Sequence, residues 1–150
     1  MQKKNSIECF NEHPHLTLEK EHELISFLEQ DLINLKQWDT FNIRIIFLTD
    51  DALLKINQEF LKHDYYTDII TFDLSTSPED LDSDIYISLD RVQENAVTFK
   101  TDYQQELLRV IFHGILHLQG FKDETEEEQQ IMREEEESLI KLFKKYLNAH

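Results

Sequence analysis

Two histidines stand four residues apart in His113-Gly-Ile-Leu-His117, and a carboxylate follows at Asp123, three residues beyond Gly120. Positions i and i+4 of an α-helix share one face, with Cβ atoms about 6 Å apart, so both imidazoles can reach one metal ion. A glycine shortly after His117 suits the left-handed turn that ends a helix. Asp123 is then close enough to turn back as a third ligand. Three protein ligands leave one coordination position for water, which is how catalytic zinc sites differ from closed structural ones. The candidate metal ligands are therefore His113, His117 and Asp123.

Histidine pairs at this spacing also occur in ordinary cores and on surfaces, so their surroundings decide. The helix that carries them is apolar almost all round (Leu107, Leu108, Val110, Ile111, Phe112, Ile115, Leu116, Leu118), which predicts burial at the centre of the fold. One stripe breaks the pattern: Glu106, Arg109, His113 and His117. Polar groups on a buried helix must find partners, and a metal ion supplies one. Gly114 sits mid-helix, where it costs about 1 kcal/mol relative to Ala, so a packing or functional reason is expected. The H-x-x-x-H-x-x-G-x-x-D spacing is also the one with which metzincin proteases hold zinc. Those proteases place Glu directly after the first His as general base, and this chain has Gly114 there. Two His and one carboxylate likewise match the facial triad of non-haem iron oxygenases, but no recognisable cosubstrate pocket accompanies them. The general base is unassigned from sequence, with Glu106 on the polar stripe as the candidate.

The elements that must position these residues read as α+β. Ile7–Phe10 reads as an opening strand, and Leu18–Leu35 as an amphipathic helix with Thr17 as N-cap and Leu18, Leu24, Ile25, Leu28, Leu32 and Leu35 as its stripe. Phe41–Leu48 alternates and reads as a strand; Asp50 then caps a helix through Phe60. Ile69–Leu74 and Ile85–Ser88 read as strands around an acidic loop, Ser75–Ser83, and a helix runs from Asp90 to about Phe99. Asp102 with Gln105 opens the motif helix as a capping box, and Thr125 with Glu128 opens a last helix to about Leu147. The prediction is a single domain over residues 1–150, with a small mixed sheet packed by helices and the motif helix buried centrally.

Composition narrows the setting. A chain of 150 residues with 40% apolar residues and ten Phe can bury a sizeable core. The lone Cys9 excludes an internal disulfide and a cysteine-rich zinc ribbon, and fits a reducing, cytoplasmic location. Met1–Glu12 lacks the apolar core of a secretory signal, and the apolar stretch Val110–Leu118 is too short to span a bilayer, so no membrane is expected. Fifteen basic residues against 31 acidic ones give a net charge of −16, which repels phosphate backbones at long range. The acidic run Glu124–Glu137 reads as a solvated helix face, since it lacks a calcium-loop pattern. His13, His15, His22 and His150 read as surface residues, Met132 as core, and Cys9 as a buried or half-buried thiol. His63 and Asp64 stand where a loop enters a strand and where they could approach the site.

The segment from His113 to Asp123 resembles the signature H-G-x-L-H-L-x-G-[YF]-x-[HD] of the YbeY-type endoribonucleases, bacterial rRNA maturation factors. Upstream, Leu54-x-x-Asn57-x-x-Phe60, Thr67-Asp68-Ile69-Ile70-Thr71-Phe72 and Asp84-Ile85-Tyr86-Ile87-Ser88 are also similar, so the resemblance spans roughly residues 40 to 140. It implies one Zn2+ per chain held by His113, His117 and Asp123. It also implies single-strand-specific RNA cleavage in 16S rRNA 3′-end maturation and ribosome quality control, with single-stranded rRNA and the ribosomal subunit or its proteins as partners. The third ligand of the family is usually His, and Asp here lowers the formal charge of the site by one. The family usually has Arg after the aromatic at position 60, suited to gripping phosphate. Leu61 stands there, and Lys62 beside it offers only a point charge on a flexible stem.

The leading expectation is metal-assisted phosphodiester hydrolysis, with either water or the RNA 2′-hydroxyl as nucleophile. The acidic surface suits RNA delivered by a ribosomal partner, or a local patch gathering Lys62, Arg91, Lys100, Arg109 and Lys122 near the cleft. Two alternatives use the same residues: a metal-dependent hydrolase of peptides or small molecules, and a non-catalytic ribosome-assembly module whose ion ties helices together.

Overall fold

Phe41, Ile43, Ile45 and Phe47 alternate with Asn42, Arg44 and Ile46, and this period of two divides the molecule into layers. The computed structural model describes residues 5–35 and 37–149. Strands β1 (Ser6–Asn11), β2 (Thr40–Leu48), β3 (Ile69–Asp73) and β4 (Asp80–Ser88) form one mixed sheet in the order β1-β2-β4-β3. The β1–β2 and β2–β4 pairs are parallel, while β3 runs antiparallel to β4 at the edge. Helices α1 (Glu21–Leu35), α2 (Asp50–Leu61), α3 (Leu89–Phe99), α4 (Tyr103–Leu118) and α5 (Glu126–Ala149) complete the described elements.

The odd-numbered side chains of β2 join Leu81, Ile85 and Ile87 of β4 in the main core, under α1, α3, α4 and α5. On the opposite face Ile46, Ile70, Phe72 and Tyr86 pack with Leu53 and Ile56 of α2 in a smaller cluster. Helix α4 is the centre of the large layer: Leu107, Ile111, Phe112 and Ile115 are each at most 1% exposed. Its predicted central burial is met. Among the described residues no helix is long and apolar enough to cross a membrane.

Several boundaries differ from the sequence reading, each for a local reason. α1 begins at Glu21 instead of Leu18, because the Gln104 side chain accepts from the Glu19 N–H and donates to the Thr17 carbonyl, holding that stretch out of the helix. Leu18 is nevertheless buried, and Leu32 and Leu35 have side chains outside the described set. Thr49, not Asp50, caps α2, and Ser88 caps α3 one residue before its first turn. The Asp50 carboxylate instead accepts from the Ser88 hydroxyl and the Arg91 guanidinium. β4 begins at Asp80 within the predicted loop: Asp82 and Asp84 project to the face where Arg44 pairs with both. Acidic residues are poor strand formers, so their alternation with Leu81, Ser83 and Ile85 was a weak signal.

His13 departs from its predicted surface role. Its side chain is 5% exposed and bonded through Nε2 to Asp90 at 2.8 Å. His150 lies outside the described residues. Burial pushes the half-buried Cys9 thiol up to about 12, with Glu21 adding to the shift, which disfavours the thiolate form.

Candidate metal centre

Gly114 is the reason α4 can lie where it does. A Cβ there would sit 2.9 Å from Ile69 Cδ1 and 3.3 Å from two atoms of Ile85, so the helix backbone rests directly on β3 and β4. That contact brings the start of β3, and with it Asp68, beside the histidine face. Asp102 caps α4 as expected, its carboxylate accepting from the Gln105 N–H, but the reciprocal bond of a capping box is replaced by one from Lys144 to the Gln105 side-chain oxygen.

The other end of α4 is closed by the predicted glycine turn. Gly120 has φ +102°, its N–H donates to His117 C=O, and the Phe121 N–H donates to Leu116 C=O. Thr125 and Glu128 exchange the two hydrogen bonds of a capping box at the start of α5. Between these two fixed points Gln129 donates to the Asp123 carbonyl at 3.1 Å. The corner therefore aims the Asp123 carboxylate back at α4.

The three predicted side chains converge. His113 Nε2 and His117 Nε2 are 2.9 Å apart, and Asp123 Oδ2 lies 3.2 Å from the first and 3.3 Å from the second. The remote nitrogens have fixed partners: His113 Nδ1 is 2.7 Å from Glu136 Oε2, and His117 Nδ1 is 3.0 Å from the Phe121 carbonyl. Carboxylate and carbonyl oxygens only accept, so each neutral ring carries its proton on Nδ1 and turns an Nε2 lone pair inward. Two nitrogen lone pairs and a carboxylate oxygen then face one point, an arrangement that could hold a metal ion. Ligands of a tetrahedral ion at about 2.0–2.1 Å stand roughly 3.3 Å apart, close to the separations here. These three are the His, Cys, Asp or Glu residues that could hold a metal ion among the described residues.

Around this point the electrostatics are acidic. Burial works to lower the His113 pKa, but the hydrogen bond and charge of Glu136, with Asp123 and Asp68, outweigh it and hold the imidazolium above its ordinary 6.5. The rest of the polar stripe is satisfied by side chains. Arg109 pairs with Glu106 at 3.6 Å, with Glu136 at 3.5 Å and with Glu137. Glu136 is thus a correction to the solvated-face reading of the acidic run: it is buried and joins Arg109 to His113.

Two cavities meet at the cluster. One of about 590 Å³ is lined by Glu106, Arg109, Asp68, His113, Asp123 and Glu136 among others; one of about 610 Å³ is lined by Leu61, His63, Tyr65, Asp68, His113, His117 and Asp123 among others. Asp68 borders both, a site residue that the spacing of the metal motif does not reveal. Burial pushes its carboxyl pKa up against the opposing charge of His113, and Asn95 donates to it at 3.3 Å. Burial likewise raises the pKa of Glu106. Of the five cations expected near the cleft, only Arg109 lines either cavity, and Arg91 is paired with Asp50 and Glu94. Lys62 lines neither; it ends α2 in a left-handed conformation, and Leu61 faces the second cavity. His63 does reach that cavity, whereas Asp64 is bound by the Gln58 side chain.

A family model for Endoribonuclease YbeY matches residues 6–144. An Endoribonuclease YbeY of Christiangramia forsetii is 46% identical over 140 residues, covering 93% of this chain and 96% of the relative. Another, from Cytophaga hutchinsonii, is 39% identical over 142 residues, covering 95% and 99%. Among solved structures, TM1509 from Thermotoga maritima is similar with a TM-score of 0.61 and 25% identity, covering 95% of this chain and 92% of that one.

Proposed function

The chain belongs to the YbeY endoribonuclease family, and we propose that it is a cytoplasmic, zinc-dependent endoribonuclease that cuts single-stranded RNA in 16S rRNA 3′-end maturation and ribosome quality control. The observation that carries the reading is the convergence of His113 Nε2, His117 Nε2 and Asp123 Oδ2 within 3.3 Å of one another. These residues would hold one Zn2+, with a position left for water or substrate. When bound, the ion supplies Lewis-acid polarisation of a phosphoryl oxygen and acidification of water.

The chain's own residues supply the rest. Glu136 and the Phe121 carbonyl orient the two rings and, in the neutral tautomer, hold the proton on Nδ1 so that Nε2 faces the cluster. Asp68, bordering both cavities with its pKa raised by burial, is positioned to take a proton from the attacking hydroxyl. Glu106, the candidate from sequence, is engaged by Arg109 and is the weaker choice. The acidic surroundings favour RNA presented by a ribosomal partner over capture of free RNA.

The test combines elemental analysis with turnover. One zinc per chain is expected, with cleavage of a single-stranded RNA oligonucleotide that chelator abolishes and zinc restores. Turnover of a peptide library in place of RNA would transfer the site to the peptidase alternative. No turnover of either, with His117→Ala lowering only the melting temperature, would leave a purely structural ion.

A further inference from the structure

The cavity under α2 has a wall with no counterpart in the phosphate chemistry above. No Lys or Arg lines it, and its carboxylates Asp68, Asp73 and Asp123 make it hostile to a run of phosphates. Its rim is apolar and aromatic instead: Leu61 is 39% exposed and Tyr65 56% exposed. The His63 and Tyr65 rings stack with centroids 5.1 Å apart and planes 20° off parallel, and Tyr65 OH is 2.9 Å from His63 Nδ1. Exposed rings normally lose order to entropy, but the backbone that carries these two is pinned by one buried residue, and the rings bond to each other. Asn57, 1% exposed, accepts from the His63 N–H at 3.1 Å and donates from Nδ2 to the Tyr65 carbonyl at 2.8 Å. A pre-ordered pair of rings beside a hydrolytic centre suits a flat, π-bearing ligand.

Resting on the endoribonuclease reading, we propose that His63 and Tyr65 form a stacking platform that seats one unpaired RNA base beside the His113–His117–Asp123 cluster. Substrate strandedness is then selected by the base. A base within a duplex has both faces covered and cannot stack on the platform, whereas an unpaired base can. Leu61 supplies an apolar neighbour at the position where a cation would have gripped phosphate.

The experiment follows cleavage and binding of a single-stranded RNA oligonucleotide by zinc-loaded protein, and of the same strand carrying an abasic position at the nucleotide next to the cut. For Tyr65→Ala and His63→Ala, KM is expected to rise about tenfold or more, as loss of a base–ring stack implies. Tyr65→Phe keeps the ring and should stay within a few-fold of the parent. The abasic strand should bind the parent protein correspondingly worse, with no further loss when it is combined with Tyr65→Ala. Thermal melts check that the variants remain folded; both rings are exposed, so little change is expected. If the parent cuts RNA while Tyr65→Ala and His63→Ala cut and bind it equally well, the platform is wrong and the endoribonuclease reading stands. If the parent neither binds nor cuts RNA, that reading fails and the platform with it. Additive losses from Tyr65→Ala and the abasic position would also overturn the platform, because the two would not be touching.

Discussion

Glu136 shows how much of the site depends on a residue outside the ligand set. Its carboxylate fixes His113 by Nδ1 and sits against Arg109. Glu136→Gln should lower zinc affinity about 10–100-fold, read by competition with a chelating dye, while saturating zinc restores one ion per chain. Asp68→Asn should reduce kcat about 10²-fold or more with zinc content unchanged, because it removes a proton acceptor and no ligand. The His113 pKa sets a pH signature. Its folded value is raised above 6.5, so in ion-free protein its imidazolium stabilises the fold fully below 6.5, and this contribution is lost as pH rises through the folded value. Zinc needs the neutral ring, so the rise in melting temperature that zinc confers should grow with pH from 6.5 upward and then level off. Parallel melts with and without zinc check this, and a gain that is flat across that range would contradict it.

At the scale of elements, the two glycines serve opposite purposes. Gly114 is tight against Ile69 and Ile85, so Gly114→Val should destabilise by roughly 1–3 kcal/mol through overpacking and displace α4 from β3. Gly120 has open space around it but φ +102°, so Gly120→Ala should cost about 1 kcal/mol by backbone strain alone, with α4 unmoved. Chemical denaturation distinguishes the two, together with zinc content, which Gly114→Val should lower. The same contrast explains what was legible in advance. The Asp102 cap, the Gly120 turn and the Thr125–Glu128 box lie within a short stretch whose spacing carries geometry, and the structure has them. The side chains of His113, His117 and Asp123 converge there as their spacing predicts, whereas neither Thr17 nor Asp50 caps its helix. Glu136 and Asp68 reach the site from α5 and the β3 entrance, and only the packing of those elements on α4 brings them there. Asp80 to Asp84 look like loop until Arg44 on the neighbouring strand supplies their partner. His13 looked like a surface histidine because its partner, Asp90, lies far along the chain.

For the whole molecule, the net charge of −16 and the absence of Lys or Arg from the lining of the second cavity predict a shallow dependence of RNA affinity on salt. Removing zinc should lower the melting temperature, since an ion that binds only the folded state stabilises it by about 4 kcal/mol at a thousandfold excess over Kd. Differential scanning calorimetry with and without chelator reads this directly. The bond from Glu136 to His113 also has a bearing on how the protein is born. Synthesis runs from the N-terminus, so α4 and its histidines are made before α5. Until that last helix has left the exit tunnel and folded back, His113 lacks the acceptor that orients it, and Arg109 lacks two of its carboxylate partners. The ligand motif is thus complete as sequence before it is complete as geometry, and the site takes its final form only when α5 packs on α4.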